Sequence, residues 1–253
     1  MKQLNEKVAI VTGAGQGIGK GIALVLARRG VKVVCTGRRL EPIEETVAQI
    51  KAEGGEGYAM TCDSADRARV EEVVAKAVEL YGSIDVVVNN GQAIVPSAKV
   101  EDTTYENMLA AWQSGTIGSL NYMQAAFPYM KAQNEGRIIN FASATGMFGI
   151  AGQLSYASNK EALRGLTKVA AKEWGQYGIC VNVVLPGAES PAAKAWAQKF
   201  PEEYNKQVML NPMHRFGDPE ADIAPVIAFL AGPDSRYYSG QSLLVDGANS
   251  IAP

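Results

Sequence analysis

Val8-Ala9-Ile10-Val11-Thr12-Gly13-Ala14-Gly15-Gln16-Gly17-Ile18-Gly19 is a short apolar run that breaks into glycines and resumes with helical apolar spacing to Arg29. A run this short and this apolar reads as a strand buried on both faces, the kind found in parallel sheets covered by helices. Glycines after such a strand let the backbone approach an anion closely. The helix that follows offers unpaired N–H groups and the positive end of its dipole. The register is TGxxxGxG rather than the generic GxGxxG. A tight turn alone would also use glycine, but the place between first strand and first helix favours a pyrophosphate cradle. Gly13, Gln16, Gly17, Ile18 and Gly19 are therefore candidate dinucleotide contacts.

The same alternation runs on through the chain. Strand-like segments are expected at Val8–Thr12, Lys32–Thr36, Gly57–Thr61, Asp85–Asn89, Arg137–Ala142, Ile179–Leu185 and Ser242–Val245, with helical spacing between nearly all of them. The fold class this predicts is α/β: a Rossmann-like doubly wound parallel β-sheet with helices on both faces. No linker, repeat or low-complexity tract divides residues 1–253, so one domain is expected. In such folds ligands bind outside the carboxyl ends of the strands, so the residues just after each strand are the ones to read.

Composition narrows the partners. The formal net charge of −2 gives no general attraction to nucleic acid or acidic membranes. No apolar run is long enough to span a bilayer, and Met1 to Lys7 lacks the apolar core of a signal peptide. Cys35, Cys62 and Cys180 form no CxxC pair and read as buried free thiols in a reducing, cytoplasmic compartment. His214 is the one histidine. A histidine-based zinc site lacks ligands, no metal is expected, and a Ser-His-Asp triad has no GxSxG elbow to support it.

The second strand ends at Gly37-Arg38-Arg39. A carboxylate there would hold the adenine ribose hydroxyls of NAD; a guanidinium suits a 2′-phosphate. Arg38 therefore favours NADP(H), with NAD(H) as the alternative and a solvated arginine pair as the plainer explanation. Gln16 adds no second cation. Further on, Tyr156-Ala157-Ser158-Asn159-Lys160 opens a helical stretch to about Trp174. A spacing of four puts Tyr156 and Lys160 on one helix face. A nearby ammonium would lower the phenol's pKa from about 10, towards useful proton exchange.

TGxxxGxG, Asn89-Asn90 after the fourth strand, Ser143 ahead of Tyr156 and Lys160, and Pro186-Gly187 after the sixth strand together resemble the short-chain dehydrogenases/reductases, classical type. Arg215-Phe216-Gly217 and Val245-Asp246-Gly247 also match, so the resemblance covers essentially the whole chain, in order. It implies that Tyr156 exchanges a proton with the substrate oxygen, Ser143 fixes that oxygen, and Lys160 holds the nicotinamide ribose and lowers the Tyr156 pKa. It further implies that Asp63 contacts adenine, Asn90 passes the adenine ribose, and Pro186 and Gly187 line the nicotinamide. A homotetramer built on the long helices after the fourth and fifth strands and on the C-terminal region is also implied.

Three positions depart from the family pattern. Gln92 stands where a glycine is usual. Gly115 stands where many members carry a catalytic asparagine, with Ser114, Thr116 or a water as substitutes. Pro191 stands where a threonine often holds the carboxamide, with Ser190 beside it. The expected substrate contacts are Gln92, Ile94, Ser143, Met147, Gln153 and Trp196, under a helical lid at about residues 188–210. This mainly apolar lining predicts NADP(H)-dependent interconversion of an apolar ketone and a secondary alcohol. The alternatives are a 3-oxoacyl thioester reductase and a non-catalytic cofactor-binding regulator or scaffold.

Overall fold

Side chains alternate between the two faces of a strand, and here that alternation divides the core into two layers. A computed structural model describes residues 4–189 and 191–251, apart from the side chains of 191–193 and 196. Its strands are β1 (Val8–Thr12), β2 (Lys32–Gly37), β3 (Gly57–Thr61), β4 (Val86–Asn89), β5 (Gly136–Phe141), β6 (Ile179–Pro186) and β7 (Ser242–Val245). They form one parallel sheet in the order β3-β2-β1-β4-β5-β6-β7.

The helices are α1 (Gly17–Arg28), α2 (Leu40–Ala52), α3 (Arg67–Tyr81), α4 (Tyr105–Trp112), α5 (Gly118–Gln133) and α6 (Ala144–Phe148). They continue with α7 (Leu154–Trp174), α8 (Pro191–Lys199), α9 (Pro201–Leu210) and α10 (Ala224–Ala231). A π-helical turn, Gln113–Ile117, joins α4 to α5.

Ala9, Val11, Val33, Cys35, Val86 and Val88 face one layer, where Ile22, Leu26, Ile43, Val47, Ile227 and Leu230 of α1, α2 and α10 cover them. Val8, Ile10, Val34, Val87, Ile138 and Val181 face the other, against α3, α5 and α7 through Val70, Val74, Tyr122, Met123 and Ala170. Every strand residue from Val8 to Thr12 is buried, the doubly covered parallel strand expected from its composition. The three cysteines are free and buried, as expected. Among the described residues no helix is long and apolar enough to cross a membrane, and no three or more His, Cys, Asp or Glu side chains gather into a group that could hold a metal ion.

The sheet runs in opposite directions from its centre, because β1 pairs with β2 on one side and with β4 on the other. The carboxyl ends of β1 and β4 therefore open a crevice, the usual ligand position in this architecture. β4 begins one residue later than expected. Asp85 instead closes its start, its carboxylate accepting from the Val8 N–H at 2.8 Å and from Lys7 Nζ at 3.1 Å. Ser114 and Gly115 sit in the π-helical turn, not in a regular helix, where glycine would cost about 1 kcal/mol against alanine.

Candidate active site

The crevice begins with glycines whose backbone demands them. Gly13 and Gly17 have φ of 66° and 53°, the left-handed region that side chains disfavour. At Gly19 a Cβ would meet the Gly13 carbonyl carbon at 2.8 Å and Asn90 Nδ2 at 2.6 Å. α1 thus starts hard against the turn. Gln16 precedes it in extended backbone and makes no side-chain cap, which leaves the first N–H groups of the helix to another partner. The end of β4 locks the turn in place. Thr12 Oγ1 accepts from the N–H groups of Asn90 at 3.0 Å and Gly91 at 2.8 Å, and Asn90 Nδ2 donates to the Thr12 carbonyl at 3.0 Å.

A cavity of about 670 Å³ opens on this turn. Gly13, Gly17, Ile18, Arg38, Asp63 and Asn90 all line it, so the residues expected around the adenine half of a dinucleotide come together. Asp63 Oδ1 accepts from the Ala65 N–H at 3.0 Å and so holds its own loop. Among the described residues Arg38 has no ion-pair partner, whereas Arg28, Arg69, Arg164 and Arg215 each have a carboxylate. Gln92 also lines the cavity, with both amide atoms buried and unpaired. A Cβ-free cradle, an uncapped helix start, an unpaired guanidinium and an unpaired amide fit a phosphorylated, hydrogen-bonding cofactor.

Ser143, Tyr156 and Lys160 meet beyond the inner end of β5. Ser143 caps α6, its Oγ accepting from the Thr145 N–H at 3.1 Å. Tyr156 and Lys160 lie in the first turns of α7, with Lys160 Nζ 5.5 Å from the Tyr156 ring centroid. Lys160 Nζ donates to the Phe141 carbonyl at 2.6 Å, tying α7 to the end of β5. A buried polar ladder holds the same helix lower down. Asn89 Nδ2 donates to Asn140 Oδ1 at 2.9 Å, and Asn140 Nδ2 donates to Thr167 Oγ1 at 2.9 Å. Neither this ladder nor the Phe141 carbonyl was visible in sequence, because both depend on which strand ends adjoin α7.

The electrostatics correct one expectation. Lys160 does not act on Tyr156 as a plain neighbouring cation. Burial pushes the Tyr156 phenol up, and the Ser143 hydroxyl pulls it part of the way back. Burial also pulls Lys160 down from 10.5 to about 7. Desolvation disfavours both charged forms, and Nζ lies against the ring with a carbonyl for its partner.

The Lys160 shift has a measurable consequence for stability. The unfolded chain binds more protons than the folded one between the folded and unfolded values, so wild-type stability rises with pH through that window. Lys160→Met has no such dependence. The variant is expected to melt above wild type, with the widest gap below about pH 7 and a narrowing gap towards about pH 10. Thermal melts of both proteins across pH check this; a gap that widens with pH would contradict it.

The substrate end is assembled less completely. Pro186 ends β6, and Gly187 donates its N–H to the Val245 carbonyl at 2.9 Å. Gly187 lines a second cavity of about 580 Å³ with Met213, Arg215 and Asp246; neither it nor Pro186 lines the first. Ser143, Tyr156 and Lys160 line neither. Gln153 Nε2 donates to Ser97 Oγ at 2.8 Å, bracing the loop after β4. Ile94 points into solvent at 88% exposure. Met147 packs on Ala142, Val183 and Leu185. The Trp196 side chain and Ser190 lie outside the described residues. α8 and α9 form the helical segment expected after β6, and Tyr204 donates to Glu189 Oε1 at 2.6 Å across its base.

The position expected to carry an asparagine, Gly115, lies against the side chain of Asn159. A Cβ at 115 would meet Asn159 Cγ at 2.7 Å. Neither Ser114 nor Thr116 fills this place: Ser114 Oγ turns back onto the Ala110 carbonyl at 2.6 Å, and Thr116 bonds to Asn159.

Comparison with known proteins agrees with this geometry. The family model described as "Enoyl-(Acyl carrier protein) reductase" matches residues 13–248. A 12alpha-hydroxysteroid dehydrogenase of Clostridium sp. is 38% identical over 254 residues, covering 98% of each chain. A 3-oxoacyl-(acyl-carrier-protein) reductase of Thermotoga maritima is 36% identical, covering 97% of this chain and 98% of its own. Among solved structures, levodione reductase superposes with a TM-score of 0.92 at 29% identity, covering 98% of this chain and 99% of its own. A variant of actinorhodin polyketide ketoreductase, solved with NADPH, gives 0.91 at 30% identity, covering 97% and 98%. With the glycine cradle, the Ser-Tyr-Lys group and this near-complete coverage in hand, the chain belongs to the classical short-chain dehydrogenases/reductases, oxidoreductases of hydroxyl and keto groups.

Proposed function

We propose that the chain transfers hydride reversibly between NADP(H) and a mainly apolar ketone or secondary alcohol, with Tyr156 as the general acid of reduction. The observation that carries this reading is the meeting of Ser143, Tyr156 and Lys160 at the start of α7. The bound nicotinamide supplies the hydride; the protein supplies the proton and the alignment. Tyr156 gives its hydroxyl proton to the substrate oxygen as negative charge develops there. Ser143 donates to the same oxygen and fixes its direction. Lys160 holds the nicotinamide ribose hydroxyls, and its amine, poised near neutrality, restores the Tyr156 proton.

Gly13, Gly17 and Gly19 seat the pyrophosphate at the start of α1, Asp63 takes the adenine amine, and Asn90 flanks its ribose. Arg38 takes the 2′-phosphate, which favours NADP(H) over NAD(H). The unpaired Gln92 amide faces the cofactor or the substrate carbonyl. α8 and α9 cover the substrate as a lid, with Phe200, Met209, Leu210 and Met213 exposing apolar surface around it. Exposed Tyr105, Leu109 and Val169 on α4 and α7 support assembly into a homotetramer.

A second reading has its own support. The Thermotoga maritima relative is named for a 3-oxoacyl thioester substrate, and the Clostridium relative for a hydroxysteroid. NADPH consumption across apolar ketones, hydroxysteroid-type ketones and 3-oxoacyl thioesters separates them. Preference for the free ketones supports the first reading; preference for thioesters replaces it with the second. No turnover with tight NADPH binding would point to a non-catalytic protein.

A further inference from the structure

The π-helical turn at Gln113–Ile117 stands between the cofactor cavity and the catalytic helix. Gln113 and Ser114 line the cavity. Gly115 and Thr116, on the other side of the same turn, bear on Asn159 of α7. Asn159 is fully buried, one residue before Lys160 and three after Tyr156.

The orientation of its amide follows from its partners. The Thr116 N–H can only donate, so the oxygen end must face it. Oδ1 accepts from that N–H at 2.8 Å and lies 2.8 Å from Thr116 Oγ1. The Thr116 hydroxyl also has the Asn159 carbonyl within 3.1 Å. The other end, Nδ2, is buried without an acceptor. A buried amide donor left unpaired costs about 1–3 kcal/mol, so a fold that keeps one has a partner for it. The absent side chain at 115 makes the arrangement possible: a Cβ there would stand 2.7 Å from Asn159 Cγ.

The structure assigns Asn159 as a positioning residue for the reaction, one that clamps α7 to the turn bordering the cofactor cavity and presents Nδ2 to a bound water there. This rests on the function proposed above. α7 is then held at two points near its start, by Lys160 on the Phe141 carbonyl and by Asn159 on Thr116. Loosening the second point lets the Tyr156–Lys160 face shift against the cofactor without unfolding the core. Misplacement of about 1 Å at such a site costs about 10²-fold in rate.

Asn159→Ala is expected to lower kcat by about 10–10²-fold while changing NADPH Kd by less than about threefold, since none of the cradle residues touches it. Moving the amide across the contact, in Gly115→Asn with Asn159→Ala, is expected to recover most of that loss. A titration independent of turnover goes with it: the tyrosinate absorbance of each protein, less that of the same protein carrying Tyr156→Phe. Asn159→Ala is expected to move the Tyr156 midpoint upward, because the phenol is no longer held against the Ser143 hydroxyl that pulls it down.

Unchanged kcat and an unchanged Tyr156 midpoint would overturn the assignment. So would a lower melting temperature with unchanged kcat per folded molecule. If wild type turns over no carbonyl, the proposed function fails on its own, and the Tyr156 titration still decides the role of Asn159.

Discussion

Tyr156→Phe is expected to lower kcat by about 10²–10⁴-fold, the usual contribution of a positioned general acid, and to leave NADPH affinity within about threefold of wild type. The phenyl ring fills the same volume, so packing at the start of α7 survives. What is lost is one hydroxyl, the group that both meets the Ser143 hydroxyl and holds the proton. Burial keeps that proton on the phenol, which suits reduction: the acid is protonated when the ketone arrives. Stopped-flow binding of NADPH together with steady-state kcat separates the two effects. Retained turnover would mean that another group supplies the proton, and Lys160, titrating near neutrality, would be the first to test.

The second large effect belongs to Arg38→Leu. An unpaired guanidinium beside a phosphate makes charge-assisted hydrogen bonds worth about 1.5–3 kcal/mol. Each 1.4 kcal/mol or so is tenfold. The variant is therefore expected to lose about 10–10²-fold in kcat/KM with NADPH and less than about threefold with NADH. Arg39 neighbours it, lines the same cavity and makes no side-chain cap to α2, so Arg39→Leu is the companion control. Equal losses with both cofactors would make Arg38 a structural residue, and no loss with either would leave cofactor choice to another group.

The two halves of the molecule were legible to different degrees. The β1 turn reads directly from sequence because its requirements are local. Gly13 and Gly17 are needed by their own backbone angles, and an apolar five-residue run can be little other than a doubly covered strand. Tyr156 and Lys160 read nearly as well, since helical spacing alone puts them on one face. Their electrostatics did not. Whether Lys160 acts as a cation depends on its burial and on the Phe141 carbonyl, which a β5-to-α7 contact brings to it across the fold. The Gly115–Asn159 contact joins residues on separate helices, and the π-helical turn that creates it has no sequence signature beyond an ill-placed glycine. The substrate face was the least legible. Apolar residues such as Ile94 and Met147 carry no mark that separates a pocket wall from a solvent-facing loop or a core contact.

In the proposed reaction this site delivers hydride to a carbonyl carbon and a Tyr156 proton to its oxygen. The most direct test incubates the protein with NADPH deuterated at the transferable position of the nicotinamide and an apolar prochiral ketone, then analyses the alcohol by mass spectrometry and chiral chromatography. One deuterium on the carbinol carbon, a single dominant enantiomer, and loss of product in Tyr156→Phe are expected. A racemic alcohol, an alcohol without deuterium on that carbon, or product formation that survives in Tyr156→Phe would contradict it.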